Sequence, residues 1–191
     1  MTTTASPARP TRTELALAAL LALGCATSRA APGGGAPADF SPPPRQEPVR
    51  LVLATAAGQH VDLADHRGKA VLVLAFTTDS IPSQAMVRTL ERVARRHPES
   101  LAVVAIAGDQ GPPATLRVVL DAYRDVAGLE RVTLALASDE VRSGASPLGE
   151  IERVPALFFL NRAGAIVRRV DTVLSESQVE ALIAPAIPAG E

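Results

Sequence analysis

Apolar runs alternate with helix-patterned segments along the middle of the chain. The runs at 70–76, 101–107 and 132–136 have the length of strands and are rich in Val, Leu, Ile and Ala. Segments 84–97 and 114–126, which follow the first two runs, repeat apolar residues at helical spacing. Strands that alternate with helices indicate βαβ units, and a strand that is apolar on both faces belongs inside a covered sheet. The pattern predicts an α/β domain whose central sheet is flanked by helices on both faces.

The first predicted helix has a charged side. Its charged residues are Arg88, Glu91, Arg92, Arg95 and Arg96. They lie largely opposite the apolar positions, so we interpret the charge run as a solvated face. The pair His97-Pro98 ends the helix, because a proline disfavours helix in the residue before it.

Two hairpins are predicted, one on each side of these units. Residues 50–54 and 59–63, joined by a turn that contains Gly58, predict an N-terminal β-hairpin extension. Residues 156–160 and 165–170 predict a second hairpin, because the turn between them reads Asn-Arg-Ala-Gly. With this hairpin added to the parallel units, the central sheet is expected to be mixed.

A last helix closes the domain. It begins after Ser175, because Gln178 three residues later completes a capping box, and it stops by Pro185. The folded domain is therefore predicted to span 49–185, with 186–191 as a C-terminal tail.

The N-terminal segment is typical of an export signal. Two arginines precede the apolar run 15–25, which is too short to span a bilayer but suits the core of a secretory signal. The run ends in Ala22-Leu23-Gly24-Cys25, which resembles the lipobox of bacterial lipoproteins, so residues 1–24 are predicted to be a signal peptide and Cys25 to carry a lipid. Cleavage near 28–30 by ordinary signal peptidase, or no export at all, are the alternatives.

Residues 25–48 are rich in Ala, Gly, Pro and Ser and show no hydrophobic period. This composition predicts a disordered linker. The expected location is the bacterial cell envelope, with the domain lipid-anchored to the membrane through Cys25 and facing the periplasm.

Charge and cysteine content exclude several functions. The formal net charge is −1, so no basic face favours nucleic acid as a partner. Cys25 is the only cysteine, which excludes an internal disulfide or a two-cysteine redox centre within one chain. His60, His66 and His97 lack ligand spacing, so we predict no metal and no cofactor.

The turn between the strand 70–76 and the following helix is the candidate site. Free N–H groups and the helix dipole favour an anion or thiolate at such a turn. The residues here are Ser80-Ile81-Pro82-Ser83. No His or Lys lies in the turn to activate a serine as a nucleophile. We therefore interpret Asp79 or Ser80 as the helix cap, with Pro82 stiffening the first turn.

The order of elements and several local motifs resemble the thioredoxin-like superfamily, in particular exported thiol–disulfide proteins of the TlpA/ResA type. The matching motifs are Gly68–Val73 leading to Phe76, Thr78–Ser83, Val154-Pro155 and Asn161–Gly164. The resemblance implies a thioredoxin-like fold and a Cys-x-x-Cys motif, degenerate here, at Ser80–Ser83. It also implies a cis bond before Pro155. Peroxiredoxins, with the same fold, have Thr-x-x-Cys, which would lie over 77–80.

Serine cannot replace the thiol in this chemistry. A helix dipole contributes at most about 2 kcal/mol, too little to make a serine hydroxyl a good nucleophile. We therefore predict no catalytic residue, and binding at the positions that surround the turn in the family: Thr78, Asp79, Ser80, Arg153, Val154 and Pro155. Arg153 could form a polar patch with Asp79 that recognises a peptide strand or an anion, or it could be a solvated loop residue.

Three hypotheses follow for the function. The first is a redox-inactive, membrane-tethered domain that acts in binding or scaffolding of an envelope protein or peptide. The alternative is a thiol–disulfide oxidoreductase or peroxiredoxin-like enzyme that relies on partner thiols or on non-thiol chemistry. The third is a purely structural envelope protein.

Overall fold

The computed structural model describes residues 47–187. The predicted signal peptide 1–24, the lipidation position Cys25, most of the predicted linker and the end of the predicted tail lie outside the described residues. Within 47–187, no helix has both the length and the apolar character that a membrane crossing requires.

A five-stranded mixed sheet forms the centre of the domain. β3, Ala70–Phe76, is the middle strand, and the sheet order is β5-β4-β3-β6-β7. β3 runs parallel to β4 and antiparallel to β6. The remaining pairs are β4 with β5, which are parallel, and β6 with β7, which are antiparallel. The other strands of this sheet are β4 Leu101–Ala107, β5 Val132–Leu136, β6 Ala156–Leu160 and β7 Ile166–Val170.

Helices cover both faces of the sheet, as predicted, but unevenly. Alternate residues of β3 point to opposite faces, so Leu72 and Leu74 lie in one apolar cluster and Val71 and Val73 in another. The three longer helices pack on the first face: α1 Ile81–Arg96, α2 Pro113–Ala127 and α4 Glu176–Ile183. The second face is covered by a 3-10 helix at Leu63–His66, by the short α3 at Asp139–Arg142 and by the N-terminal hairpin.

The N-terminal hairpin is a separate two-stranded sheet. It consists of β1, Val52–Ala54, and β2, His60–Asp62, which pair antiparallel. The amide of Ala56 donates to the carbonyl of Leu134 at 3.0 Å, which attaches the hairpin to the outer edge of β5. This contact covers an edge that would otherwise expose unpaired backbone groups.

Helix ends differ from the sequence prediction in informative ways. α1 begins at Ile81, three positions before the start predicted at Gln84, because Ser80 caps it. Glu91 is buried, with 4% of its surface exposed, so its assignment to a solvated face is wrong. Ser175 and Gln178 form both hydrogen bonds of the predicted capping box at the start of α4.

Candidate functional site

Ser80 is the N-cap of α1. Its hydroxyl accepts a hydrogen bond from the amide of Ser83 at 3.4 Å, and its carbonyl accepts one from the amide of Gln84 at 2.9 Å. Pro82 lies in the first turn, where its missing N–H has no helical partner to lose. Among residues 47–187, no histidine or lysine hydrogen-bonds to the Ser80 hydroxyl. Ser80 thus has a structural role at the start of the helix.

Ser83 lies one turn deeper and is completely buried. Its hydroxyl oxygen has no hydrogen-bond partner within the described part of the chain. A buried hydroxyl without a partner costs stability rather than adding to it. Ser83 therefore places a polar group in the core without a hydrogen bond from residues 47–187.

The turn before α1 is held by Asp109, a residue that the sequence analysis missed. Its carboxylate accepts hydrogen bonds from the amide of Thr78 at 3.0 Å and from the Thr78 hydroxyl at 2.5 Å. Gln84 donates to the carbonyl of Thr78 at 2.7 Å. Phe76 and Ala107 are register partners in parallel strands, so Thr78 and Asp109 lie equally far beyond the same sheet edge. That parallel register was the signal that could have identified Asp109.

Arg142 braces the same loop from α3. Its guanidinium donates to the carbonyls of Asp109 and Ala137, each at 3.2 Å. On the other face of the sheet, the Tyr123 ring packs against Phe76 with centroids 5.8 Å apart. Burial raises the pKa of Tyr123, which keeps its phenol protonated at neutral pH.

The bond between Val154 and Pro155 is cis, as the family resemblance implied. Pro155 is buried directly before β6, whose Ala156 pairs with Ala75 near the end of β3. A cavity of about 200 Å³ opens between Val154 and the ends of β3 and β4. Its lining is mainly apolar and includes Thr77, Ile106, Val141, Ile151 and Val154, with Arg142 as the one charged side chain.

The structure brings some predicted site residues together and leaves others apart. Thr77 and Val154 line one cavity, and Thr78 is anchored beside it. Asp79 and Arg153 are both exposed, and no ion pair joins them among the salt bridges of residues 47–187. Within the same residues, no cluster of three or more His, Cys, Asp or Glu side chains could hold a metal ion.

The two serines are expected to respond differently to alanine substitution. Ser80→Ala should lower the free energy of unfolding by about 1 kcal/mol, because it removes the helix cap. Ser83→Ala should leave it unchanged or raise it slightly, since it removes an unpaired buried hydroxyl. Urea denaturation of both variants measures the difference. A larger loss for Ser83→Ala than for Ser80→Ala would contradict this assignment of roles.

Comparison with known proteins identifies the fold. No model of a known family matches the chain, and no curated protein matches it in sequence. A thiol:disulfide interchange protein of the thioredoxin family from Chlorobium tepidum TLS matches with a TM-score of 0.61 and 19% identity, covering 74% of this chain and 97% of its own. A DsbF homologue from Corynebacterium diphtheriae gives a TM-score of 0.62 at 16% identity, over 74% of this chain and 87% of its own.

The same likeness extends to a surface protein. The exposed lipoprotein thioredoxin Etrx1 from Streptococcus pneumoniae strain TIGR4 gives a TM-score of 0.55 at 13% identity, over 71% of this chain and 98% of its own. At these identities the likeness shows the fold alone. The chain thus has the thioredoxin-like fold, and Ser80 and Ser83 lie at the start of its α1.

Proposed function

We propose that the chain is a redox-inactive thioredoxin-like protein of the cell envelope that binds or scaffolds a partner protein or peptide. The observation that carries the proposal is the pair of serines at the start of α1. Ser80 is occupied as a cap and Ser83 is buried without a partner among residues 47–187, while the single cysteine of the chain, Cys25, precedes the domain in sequence.

The surface beside this turn supports binding rather than catalysis. The cavity next to Val154 is large enough for one apolar side chain, and its walls are mostly apolar. Thr78, fixed by Asp109, gives it a rigid rim. A partner segment that lies across Asp79, Arg153, Val154 and Pro155 would place a side chain in this cavity.

Enzyme assays test the redox part of the proposal. The purified chain is expected to show no thiol-dependent reduction of insulin and no peroxide reduction. A thiol-dependent rate above that of a Cys25→Ala variant would show that Cys25 takes part in catalysis and would contradict the proposal. A Val154→Asp variant, with a charge in the apolar cavity, should lose the contacts that a photo-crosslinker at Arg153 captures in the native envelope.

Tethering through Cys25 is the second part of the proposal. It is supported by the lipobox-like sequence before Cys25 and by the Pro- and Gly-rich stretch that follows it. Neighbours in fold include a protein described as an exposed lipoprotein. Cell fractionation tests the anchor: Cys25→Ala should move the chain out of the membrane fraction, whereas unchanged fractionation would refute lipid anchoring.

A second candidate is an oxidoreductase that works with partner thiols or by non-thiol chemistry. It is favoured by neighbours in fold that are described as thiol:disulfide proteins. A Ser80→Ala/Ser83→Ala double variant distinguishes the two candidate functions. Binding should survive in this variant, whereas an enzyme that used either hydroxyl would lose its activity.

A further inference from the structure

α1 and α2 leave a groove between them, away from the Ser80 turn at the start of α1. Both helices pack on the sheet face that carries Leu72 and Leu74. A cavity of about 240 Å³ lies between them near the end of α2. It is lined by Arg88, Glu91, Arg92, Arg95, Ala127 and Gly128. We call this feature the α1–α2 groove.

α2 presents an exposed apolar flank toward this groove. Arg124 lies on the opposite side of α2, because it lines a separate cavity with Thr55 and Val132 beside the N-terminal hairpin. At 3.6 residues per turn, Val119 and Val126 lie on the other side of the helix from Arg124. They are 40% and 85% exposed. The apolar surface of α2 is therefore wider than its packing on the sheet requires.

The α1 side of the groove is basic. Arg92 and Arg95 already pair with Glu176 and Glu91, respectively. Arg88 is exposed and forms neither a hydrogen bond nor an ion pair with any residue of 47–187. The lining of the groove thus includes one unpaired cation, and the exposed valines Val119 and Val126 of α2 lie on the surface beside that lining. Together they complement a ligand that has both an apolar side and a carboxylate.

We propose that the α1–α2 groove binds an acidic amphipathic helix of a partner protein. The apolar side of that helix packs on Val119 and Val126, and one of its carboxylates pairs with Arg88. A second copy of this chain fits poorly, because Glu176 and Glu180 of α4 already pair with arginines of α1 in their own copy. The site is separate from the α1 turn, so it adds a second binding surface to the proposed function.

Synthetic peptides test the ligand chemistry with the full chain. The probe is a helical peptide of about four turns with Leu at alternating three- and four-residue spacing and Glu at the flanking positions. One control has Lys in place of every Glu, and another has the same composition in scrambled order. Fluorescence anisotropy should show binding of the acidic peptide alone, weakened by added salt. Equal binding of all three peptides, or no binding of the acidic one, would overturn the proposal.

Substitutions test the location. Arg88→Glu and Val126→Asp should each lower the affinity for the acidic peptide by about tenfold or more, as expected for central interface residues. The matched controls are Arg117→Glu, an exposed arginine on the other flank of α2, and Val167→Asp, an exposed valine on β7. Both controls, and Ser80→Ala at the α1 turn, should bind as the natural chain does.

Two results would place the binding elsewhere. If the control variants lower the peptide affinity as much as Arg88→Glu and Val126→Asp do, the peptide does not bind in the groove. Self-association of the natural chain that Val126→Asp abolishes would identify a second copy as the occupant and overturn the partner proposal. Val154→Asp disrupts the cavity beside the α1 turn but lies outside the groove, so loss of binding at the turn and loss of peptide binding are distinguishable.

Discussion

Replacing Ser80 and Ser83 with cysteine is expected to create thiol–disulfide activity in this chain. A thiol at position 80 would lie at the N-terminus of a 16-residue helix, where the helix dipole lowers the pKa of a thiol. A thiol at position 83 would be buried in the first turn of the same helix, three residues after the cap. In a Cys25→Ala background, thiol titration should show a disulfide, and insulin reduction with dithiothreitol should rise well above the serine parent.

The start of α4 provides a matched control for this experiment. Ser175 and Gln178 hold the same N-cap and N3 positions of α4 as Ser80 and Ser83 hold in α1, but both are exposed. A Ser175→Cys/Gln178→Cys pair should therefore form a disulfide without comparable activity. If the control pair reduces insulin equally well, the surroundings of the α1 turn contribute nothing. If the 80/83 pair oxidises but remains inert, more than the thiols has been lost from the site.

The strands of the sheet were predictable because burial alone defines them. β3, β4, β5 and β6 have the predicted bounds, since each is apolar along its whole length except for Thr133 in β5. Three hairpin arms, those of β1, β2 and β7, were predicted too long. Leu51, Leu63 and Ala165 are apolar and buried but lie outside the paired strands, so the apolar pattern does not mark where pairing stops. Burial patterns thus locate interior strands well and edge strands less well.

The features that the sequence pattern located less well or missed depend on polar interactions. No apolar periodicity marks the first turn of α1, because Ile81 is 78% exposed; its start follows instead from the cap Ser80 and from Pro82, which the sequence did predict. Asp109 lies 31 residues from Thr78, and only the parallel register of β3 and β4 brings them together. Glu91 looked like one member of a charged surface because its partners lie on another element. Such contacts depend on tertiary structure, which spacing along the chain does not encode.

Glu91→Gln is expected to cause the largest loss of stability among single substitutions at charged residues of α1. The Glu91 carboxylate accepts hydrogen bonds from Arg95 at 2.8 Å and from the amides of Glu130, Arg131 and Val132 at 3.0–3.1 Å. It thereby joins α1 to the start of β5. A glutamine would turn an NH2 group toward these donors and leave buried amides unpaired. The free energy of unfolding should fall by about 3 kcal/mol in urea denaturation.

Glu130→Gln is the control, because Glu130 also pairs with Arg95, at 3.5 Å, but its side chain is 72% exposed. An exposed pair of this kind contributes little, so the loss should stay below about 0.5 kcal/mol. Similar losses for the two variants would show that Arg95, rather than the buried amides, determines the role of Glu91. The slope of the urea transition should not change in either variant if only stability is affected.

The pH dependence of this loss follows from the direction of the pKa shift. Burial alone would raise the pKa of Glu91, but hydrogen bonds from Arg95 and the three amides lower it below its ordinary value of 4.5. The unfolded chain therefore binds this proton at a higher pH than the folded chain does. The contribution of Glu91 is complete above about pH 4.5 and is lost as the pH falls through the folded-state pKa. The stability difference between the natural chain and Glu91→Gln should narrow in that acidic range, and a constant difference would mean that the charge of Glu91 is not what β5 requires.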